Sequence, residues 1–515
     1  SRVFFVSTTR LLASKWTTLA NVKPMNIEHI QPLPSKPNHY GRLFRPDNEA
    51  AAMATDARLA DLALSMKADV TPIPEDDLDP IRDERIMAGY TYFGQFIDHD
   101  LTYDISGLPS AGTTVEPEET RNFRTTYLNL ENLYGAGPAN TPPRTLYEDD
   151  GVSFRLGAAL GNGRSFDVPL GDDGKPQTAD PRNIENAIVR QIHAMFLQLH
   201  NLAVLDLPNT LSAEQRFREA RQRVTHQFQW LVHHDFLPAV CNCEIAGAVR
   251  SGSKRFVAWR DDGFCIPVEF AQACFRFGHS LVKPNYLLGG GHGVSLSSLF
   301  GGKGSSGALP TKFAVEWDGF LGPKNSQHAS MMDTVIASPL FEIPVYSLAT
   351  FTSFLAMNGK RVEDQEKMLP WRTLKRGAAS RLPSGQKVQA RLCPDYEIIA
   401  SSSYGNDDPW RHLVDCGLRD HIPLWYYILL EAQLNETGTR LGRIGSIIVA
   451  ETIEGALQAN KDSYVHMGST WKPKCWKAWD GVEVRINKLH DLARVLGLAS
   501  PLDEEICDKD AVKIP

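Results

Sequence analysis

The chain has 515 residues, 42% of them hydrophobic and 22% charged, enough for one large core or two to three smaller ones. Its formal net charge of -7 argues against a general binder of nucleic acid or anionic membranes. No apolar run approaches the length of a membrane span, so the expectation is a soluble protein.

Residues 1–27 carry Arg2, Arg10, Lys15 and Lys23 with Ser and Thr and no acid. That composition suits an organelle transit peptide and equally a basic arm lying on the body of the protein. No secretory signal with a clear apolar core stands out, the sequon Asn435-Glu436-Thr437 alone proves no secretion, and the compartment stays open. The eight cysteines (241, 243, 265, 274, 393, 416, 475, 507) lack metal-type pairing, so free buried thiols are the default. Residues 24–48, rich in proline and polar side chains, read as an extended lead-in. The expected division is an N-terminal arm over 1–40, a main domain over 41–500 and a tail over 501–515.

The first stretch that carries chemistry is Phe93-Gly94-Gln95-Phe96-Ile97-Asp98-His99-Asp100. On a helix Gln95 and His99 share a face, and Asp98 sits one turn from Gln95. A histidine beside a polar amide suits proton shuttling on a small oxygen substrate. Taken alone, the pattern fits an ordinary buried polar cluster better.

Residues 104–125 and 135–180 are dominated by loop-forming types. Asp180-Pro181 is a helix start, with Asp as N-cap and Pro in the first turn. Apolar residues from Ile188 to Val204 then recur at helical spacing to about residue 205. Arg182 and Glu185 lie at i and i+3 there; a guanidinium so placed polarises a bound anion or peroxide, or forms a plain helix-end ion pair. Residues 213–236 predict a second long helix halted near Pro238, and Val268 to Val282 a third stopped by Pro284. The third contains Phe275-Arg276-Phe277-Gly278-His279-Ser280, in which a glycine beside a histidine lets a flat ligand approach the backbone. Haem iron commonly takes such a histidine, although a lone buried His is more often core. Arg276 one turn earlier suggests a carboxylate partner, and haem propionates fit. The glycine-rich segment 287–325 reads as a surface loop rather than a phosphate loop, since no strand is evident before its glycines. Helical patterns return at 344–356, 422–435 and 444–460, with few strand-like stretches.

Together these motifs resemble the animal-type haem peroxidases of the peroxidase–cyclooxygenase superfamily, most nearly the bacterial-type members. Further matching stretches are Arg124 to Gly135, Arg376 to Gln386, Pro423 to Leu429 and Leu441 to Gly445, so the resemblance spans roughly residues 40–490. It implies a mainly α fold with helices around a central haem and very little β. It assigns His99 as distal base, Arg182 as the cation over the separating oxygens and Gln95 as the group holding the network above the iron. His279 would be the proximal iron ligand, with Arg276 and Arg376 on the propionate side. Asp98 and Glu185 fall where members form ester bonds to haem methyls, so the implied cofactor is haem b or ester-linked haem. Asn186 stands where some members carry a methionine sulfonium link, so that link should be absent.

Asp100, Thr125, the Tyr127 carbonyl, Asn129 and Glu131 match a calcium loop, with Asn129 and Glu131 departing from the usual residues. Thr373 replaces the expected asparagine beside the proximal imidazole, which would alter that ligand's hydrogen bonding and shift the redox potential. The implied partners are hydrogen peroxide and a small phenol-like donor or a halide, in a setting such as the response to oxidative stress. Dioxygenases of the superfamily carry a tyrosine three residues before the proximal histidine. Here Arg276 stands there, which favours peroxidase over fatty-acid dioxygenase. A haem-binding scaffold without activity is the non-enzymatic alternative, and the joint presence of His99, Arg182 and His279 argues against it.

Overall fold

The computed structural model describes residues 30–502 except 31, 34–35, 69–84, 111, 141–145, 162, 254–255, 260–262, 301–306, 323–325, 344–363 and 397–408. The chain is mainly helical, and its described strands form only three two-stranded antiparallel sheets. The helical pattern expected at 344–356 lies outside the described residues, as do residues 1–29.

The core grows around three helices, Ala88–Leu101, Ala187–Leu205 and Ala213–Leu231. Phe93 and Phe96 from the first stack on Phe196 of the second, with ring centroids 6.2 and 5.1 Å apart, and meet Phe228 of the third edge-on. Such aromatic pairs add to the apolar burial and set the lateral position of the first helix. Leu424–Asn435 and Arg443–Ala459 are buried on nearly every face, as an apolar helix without a polar stripe must be.

Several expected elements differ. The helix expected from Asp180 is split: Asp180 caps a 3-10 turn, Pro181–Ile184, and Asn186 then caps Ala187–Leu205 by accepting from the Ile188 and Val189 amides. The reason is a second capping side chain, which competes with continuous helix at that point. The 213–236 helix does not stop before Pro238. It passes through a π turn, Val232–Phe236, into Leu237–Val240, and Pro238 sits in the first turn of that last piece. The missing proline N–H costs little at such a start.

The third helix is also broken, into Val268–Gln272 and a 3-10 segment Cys274–His279. The glycine-rich segment is a correction as well. A strand, Asn285–Leu288, does precede Gly289–Gly291, and the glycines turn it into an antiparallel partner, His292–Ser295. Their φ values of 55°, 88° and 88° explain the glycines, because a Cβ is disfavoured in that conformation. Cys475 is disulfide-bonded, against the expectation of free thiols, whereas Cys241, Cys243, Cys265, Cys274, Cys393 and Cys416 are free.

Candidate active site

Gln95, Asp98, His99, Arg182, Glu185, Arg276, His279 and Arg376 all line one cavity of about 370 Å³. Residues separated by as many as 281 positions thus meet, which helical spacing alone does not reveal. The helix Ala88–Leu101 contributes Gln95, Asp98 and His99, and the split at Asn186 presents Arg182 and Glu185 to the same space.

His99 is held by a partner that the sequence reading missed. Its Nδ1 lies 2.7 Å from Asn183 Oδ1, while Asn183 Nδ2 reaches the Asn132 carbonyl at 3.3 Å and His193 Nδ1 at 3.0 Å. The Asn132 carbonyl only accepts, so the Asn183 amide must turn its oxygen to His99. His99 therefore donates from Nδ1 and keeps Nε2 free of a proton. Burial, aided by the Arg182 charge, lowers its pKa to about 4. The imidazole is neutral at physiological pH, with its basic nitrogen left over. The only sequence signal for Asn183 was its place directly after Arg182.

Arg182 is clamped rather than mobile. Its Nε and Nη2 donate to the two Asp180 oxygens at 3.1 and 2.7 Å, and Nη2 also donates to the His99 carbonyl at 3.0 Å. Asp180 is also bonded to Arg124, and Arg182 and its neighbouring charges hold its carboxyl well below the usual range despite burial. The guanidinium further lies 4.5 Å from the Tyr103 ring centre. A fixed cation of this kind needs no rearrangement when charge develops beside it. Gln95 accepts from Asn186 Nδ2 at 3.0 Å, which ties the distal amide to the second helix cap.

His279 mirrors this arrangement. Thr373 Oγ1 donates to the Leu369 carbonyl at 2.9 Å, which leaves a hydroxyl lone pair toward His279 Nδ1 at a long 3.4 Å. Nδ1 then carries the proton and Nε2 is bare. Burial, with the Arg276 charge, lowers the His279 pKa to about 3. Trp425, unassigned by the sequence reading beyond its motif, meets the imidazole edge-on at 5.9 Å and donates to the Arg276 carbonyl. Arg372, also missed, lines the cavity one helical turn before Arg376; burial and the nearby Arg376 charge depress its pKa to about 10. Its i, i+4 spacing from Arg376 was the available signal. Burial pushes the Glu185 carboxyl up to about 8, so it is protonated at neutral pH despite Arg182.

A haem fits these residues. A Cβ built on Gly278 meets no protein atom within 4 Å, so the space beside the His279 backbone is open to a flat group. Two neutral imidazoles with bare nitrogens face the cavity's chemistry, and iron requires neutral imidazole. Arg276, Arg372 and Arg376 supply cations for carboxylates, and Gln272 offers a buried amide oxygen without a hydrogen-bond partner.

Four of the five oxygen donors expected for calcium share the loop from Thr125 to Glu131, with Asp100 on the helix Ala88–Leu101, and all five are engaged in hydrogen bonds within the protein. Asp100 accepts from the Leu130 and Asn132 amides at 2.9 and 3.2 Å, and Glu131 takes both the amide and the hydroxyl of Thr125 at 3.0 Å. Asn129 donates to the Thr125 hydroxyl, and the Tyr127 carbonyl accepts from Asn460. Among the described residues no group of three or more His, Cys, Asp or Glu gathers as a metal site. Thr126, Leu128 and Leu130 all have positive φ (66°, 47° and 58°), an uncommon cost for residues with a Cβ.

Residues 106–299 match the family model for animal haem peroxidase. That segment is similar to the animal haem peroxidases. The matched segment holds Arg182, Glu185, Arg276, His279 and the loop from Thr125 to Glu131, and begins just after the stretch containing His99. A peroxidase-like protein of Margaritifera margaritifera is 25% identical over 263 residues, which cover 41% of this chain and about a third (33%) of that relative. Among solved structures, peroxidase A from Dictyostelium discoideum aligns with a TM-score of 0.55 at 15% identity, covering 92% of this chain and 93% of its own. The fatty acid alpha-dioxygenase of Oryza sativa aligns at 0.58 with 12% identity, covering 83% of this chain and 76% of its own. The Arabidopsis thaliana alpha-dioxygenase gives 0.55 at 13%, covering 90% and 76%. At these identities the peroxidase-related chain shares the fold of both enzyme types, and the likeness does not separate their reactions. Among the described residues no helix is long and apolar enough to cross a membrane.

Proposed function

We propose that this animal haem peroxidase relative reduces hydrogen peroxide at a haem held by His279 and oxidises small phenol-like donors or a halide. The observation that carries the reading is the pair of neutral histidines, buried His99 and half-buried His279, lining one cavity with a clamped arginine. When bound there, haem supplies the electron transfer between peroxide and donor. His279 Nε2 would ligate the iron, and Arg276, Arg372 and Arg376 would hold the propionates. Asp98 and Glu185, which line the same cavity, would be the residues to form any ester links to its methyls.

The acid–base work falls to His99. Its unprotonated Nε2 takes a proton from peroxide and returns it to the departing oxygen, while Asn183 keeps the tautomer that makes this possible. Arg182, already paired and buried, stabilises the negative charge that appears as the oxygens separate. Gln95, fixed by Asn186, orients the small molecule above them.

A dioxygenase is the second reading, and one observation favours it. Tyr40, Tyr90 and Tyr92 line the cavity, so Arg276 at the usual tyrosine position does not remove every phenol from reach. Haem-loaded protein is expected to oxidise a phenol only when peroxide is added. Oxygen uptake with an unsaturated fatty acid and no donor would overturn this reading in favour of dioxygenation.

Calcium binding by the loop from Thr125 to Glu131, with Asp100, also belongs to this proposal. The three positive-φ residues support it, because strained backbone tends to persist where a ligand over-determines it. The ion would have to exchange the hydrogen bonds that Glu131 now makes to Thr125. Added calcium is expected to raise the thermal midpoint, and a chelator to reverse it. Equal midpoints with millimolar calcium and with chelator would show that the internal hydrogen bonds have taken the ion's place.

A further inference from the structure

The π turn Val232–Phe236 supplies polar partners to two tyrosines that belong to different surroundings. Asp235 accepts from the hydroxyl of Tyr90, a cavity-lining residue, at 2.8 Å through each oxygen. Two residues earlier, His233 Nδ1 lies 2.5 Å from the Tyr464 hydroxyl, and His233 Nε2 lies 2.9 Å from Glu454 Oε2. His233 and Glu454 are only 5% and 3% exposed, so the three groups form a dry tyrosine–imidazole–carboxylate row. Phe236 closes the same turn against Phe275 of the cavity wall, with ring centroids 6.1 Å apart.

Beyond Tyr464 the row opens toward solvent. The Tyr464 ring lies 5.2 Å from Trp471 and 5.6 Å from Trp230, and the two indoles, both half-buried, are 5.9 Å apart. Gln229 Oε1 accepts from the Tyr464 amide and the Ser463 hydroxyl, which fixes the ring's backbone. None of these groups has a part in the acid–base chemistry assigned to His99 and Arg182.

We propose that Tyr464, with His233 as its proton acceptor, is a redox-active residue that carries oxidising equivalents from the cavity to donors at the Trp230–Trp471 surface. The oxidant is a haem centre oxidised by peroxide, so the proposal rests on the function argued above for its source of electron demand. One electron leaves Tyr464 toward the cavity, by way of Tyr90 and the π turn, and the phenolic proton moves to His233 Nδ1. Glu454 compensates the imidazolium, which would otherwise be a lone buried charge. A donor of phenol or aromatic-amine class at the indoles then returns one electron, and the proton goes back from His233 to the phenolate oxygen. A phenol oxidised in a dry interior without an adjacent base would have to keep a highly acidic proton, and this pairing removes that cost.

The test is electron paramagnetic resonance on haem-loaded protein frozen after peroxide addition. A tyrosyl signal that narrows when ring-deuterated tyrosine is incorporated, and disappears in Tyr464→Phe with peroxide consumption unchanged, is the expected result. His233→Gln should slow its formation about 10²-fold, the usual contribution of a positioned base. The same signal in Tyr464→Phe, or none in wild type that consumes peroxide, would overturn the proposal. If peroxide is not consumed at all, the function assigned above fails instead, and flash photolysis with a soluble ruthenium oxidant decides the question separately. A photo-generated radical lost in Tyr464→Phe then supports the redox tyrosine, and its absence in wild type refutes it.

Discussion

Replacing His99 with alanine is expected to lower kcat/KM for hydrogen peroxide by about 10²–10⁴-fold, the range a positioned general base contributes. Haem should still bind, because His279 and the cavity arginines are untouched. The pH profile sharpens the prediction. The pKa of His99 lies at about 4, below the ordinary 6.5, chiefly through burial and then through the Arg182 charge. The neutral form is the working base, so wild-type kcat/KM should stay flat above that pKa and fall as pH drops through about 4. The alanine variant should lose this acid limb along with its rate. A variant that keeps most of the wild-type rate would remove His99 from the mechanism.

The same shift bears on stability. The folded pKa is depressed below that of the unfolded chain, so the unfolded state binds more protons across the interval. The contribution of His99 to stability is therefore complete above about 6.5, the ordinary imidazole value, and is lost as pH falls toward about 4. His193, with a pKa lowered to about 3 by burial, acts in the same direction.

The second large effect is expected at His279. His279→Gly should abolish the absorption band of imidazole-ligated haem in hemin titrations, and free imidazole should restore it by filling the space left by the side chain. Rescue is the decisive measurement, since a merely structural histidine would give a misfolded protein that imidazole does not repair. An unchanged band in the variant would place the iron ligand elsewhere. Thr373 touches His279 only at 3.4 Å, so Thr373→Val should leave the band in place and alter the potential instead.

Much of the site could be read before folding because each half is local. Gln95, Asp98 and His99 lie within two helical turns, and His279 follows Arg276 by three residues, so spacing alone groups them. Asn183 and Trp425 escaped because their roles depend on partners 84 and 146 residues away, His99 and His279 respectively, whereas Arg372 lay at a legible i, i+4 spacing from Arg376 and was overlooked. The broken helices were missed for another reason. Apolar periodicity continues through Asn186 and Ala273, and only the competing cap and the 3-10 turn interrupt the backbone.

By itself the sequence determined the helical class, the chemistry-bearing residue types and their local groupings, because hydrophobic period and short spacing are properties of neighbouring residues. Tertiary structure alone decided that His99 and His279 meet at one cavity and that their Nδ1 atoms are both occupied, leaving Nε2 basic. It also decided that one π turn serves Tyr90 and Tyr464. Those outcomes depend on burial and on hydrogen bonds between distant segments, which exist only once the core has excluded water.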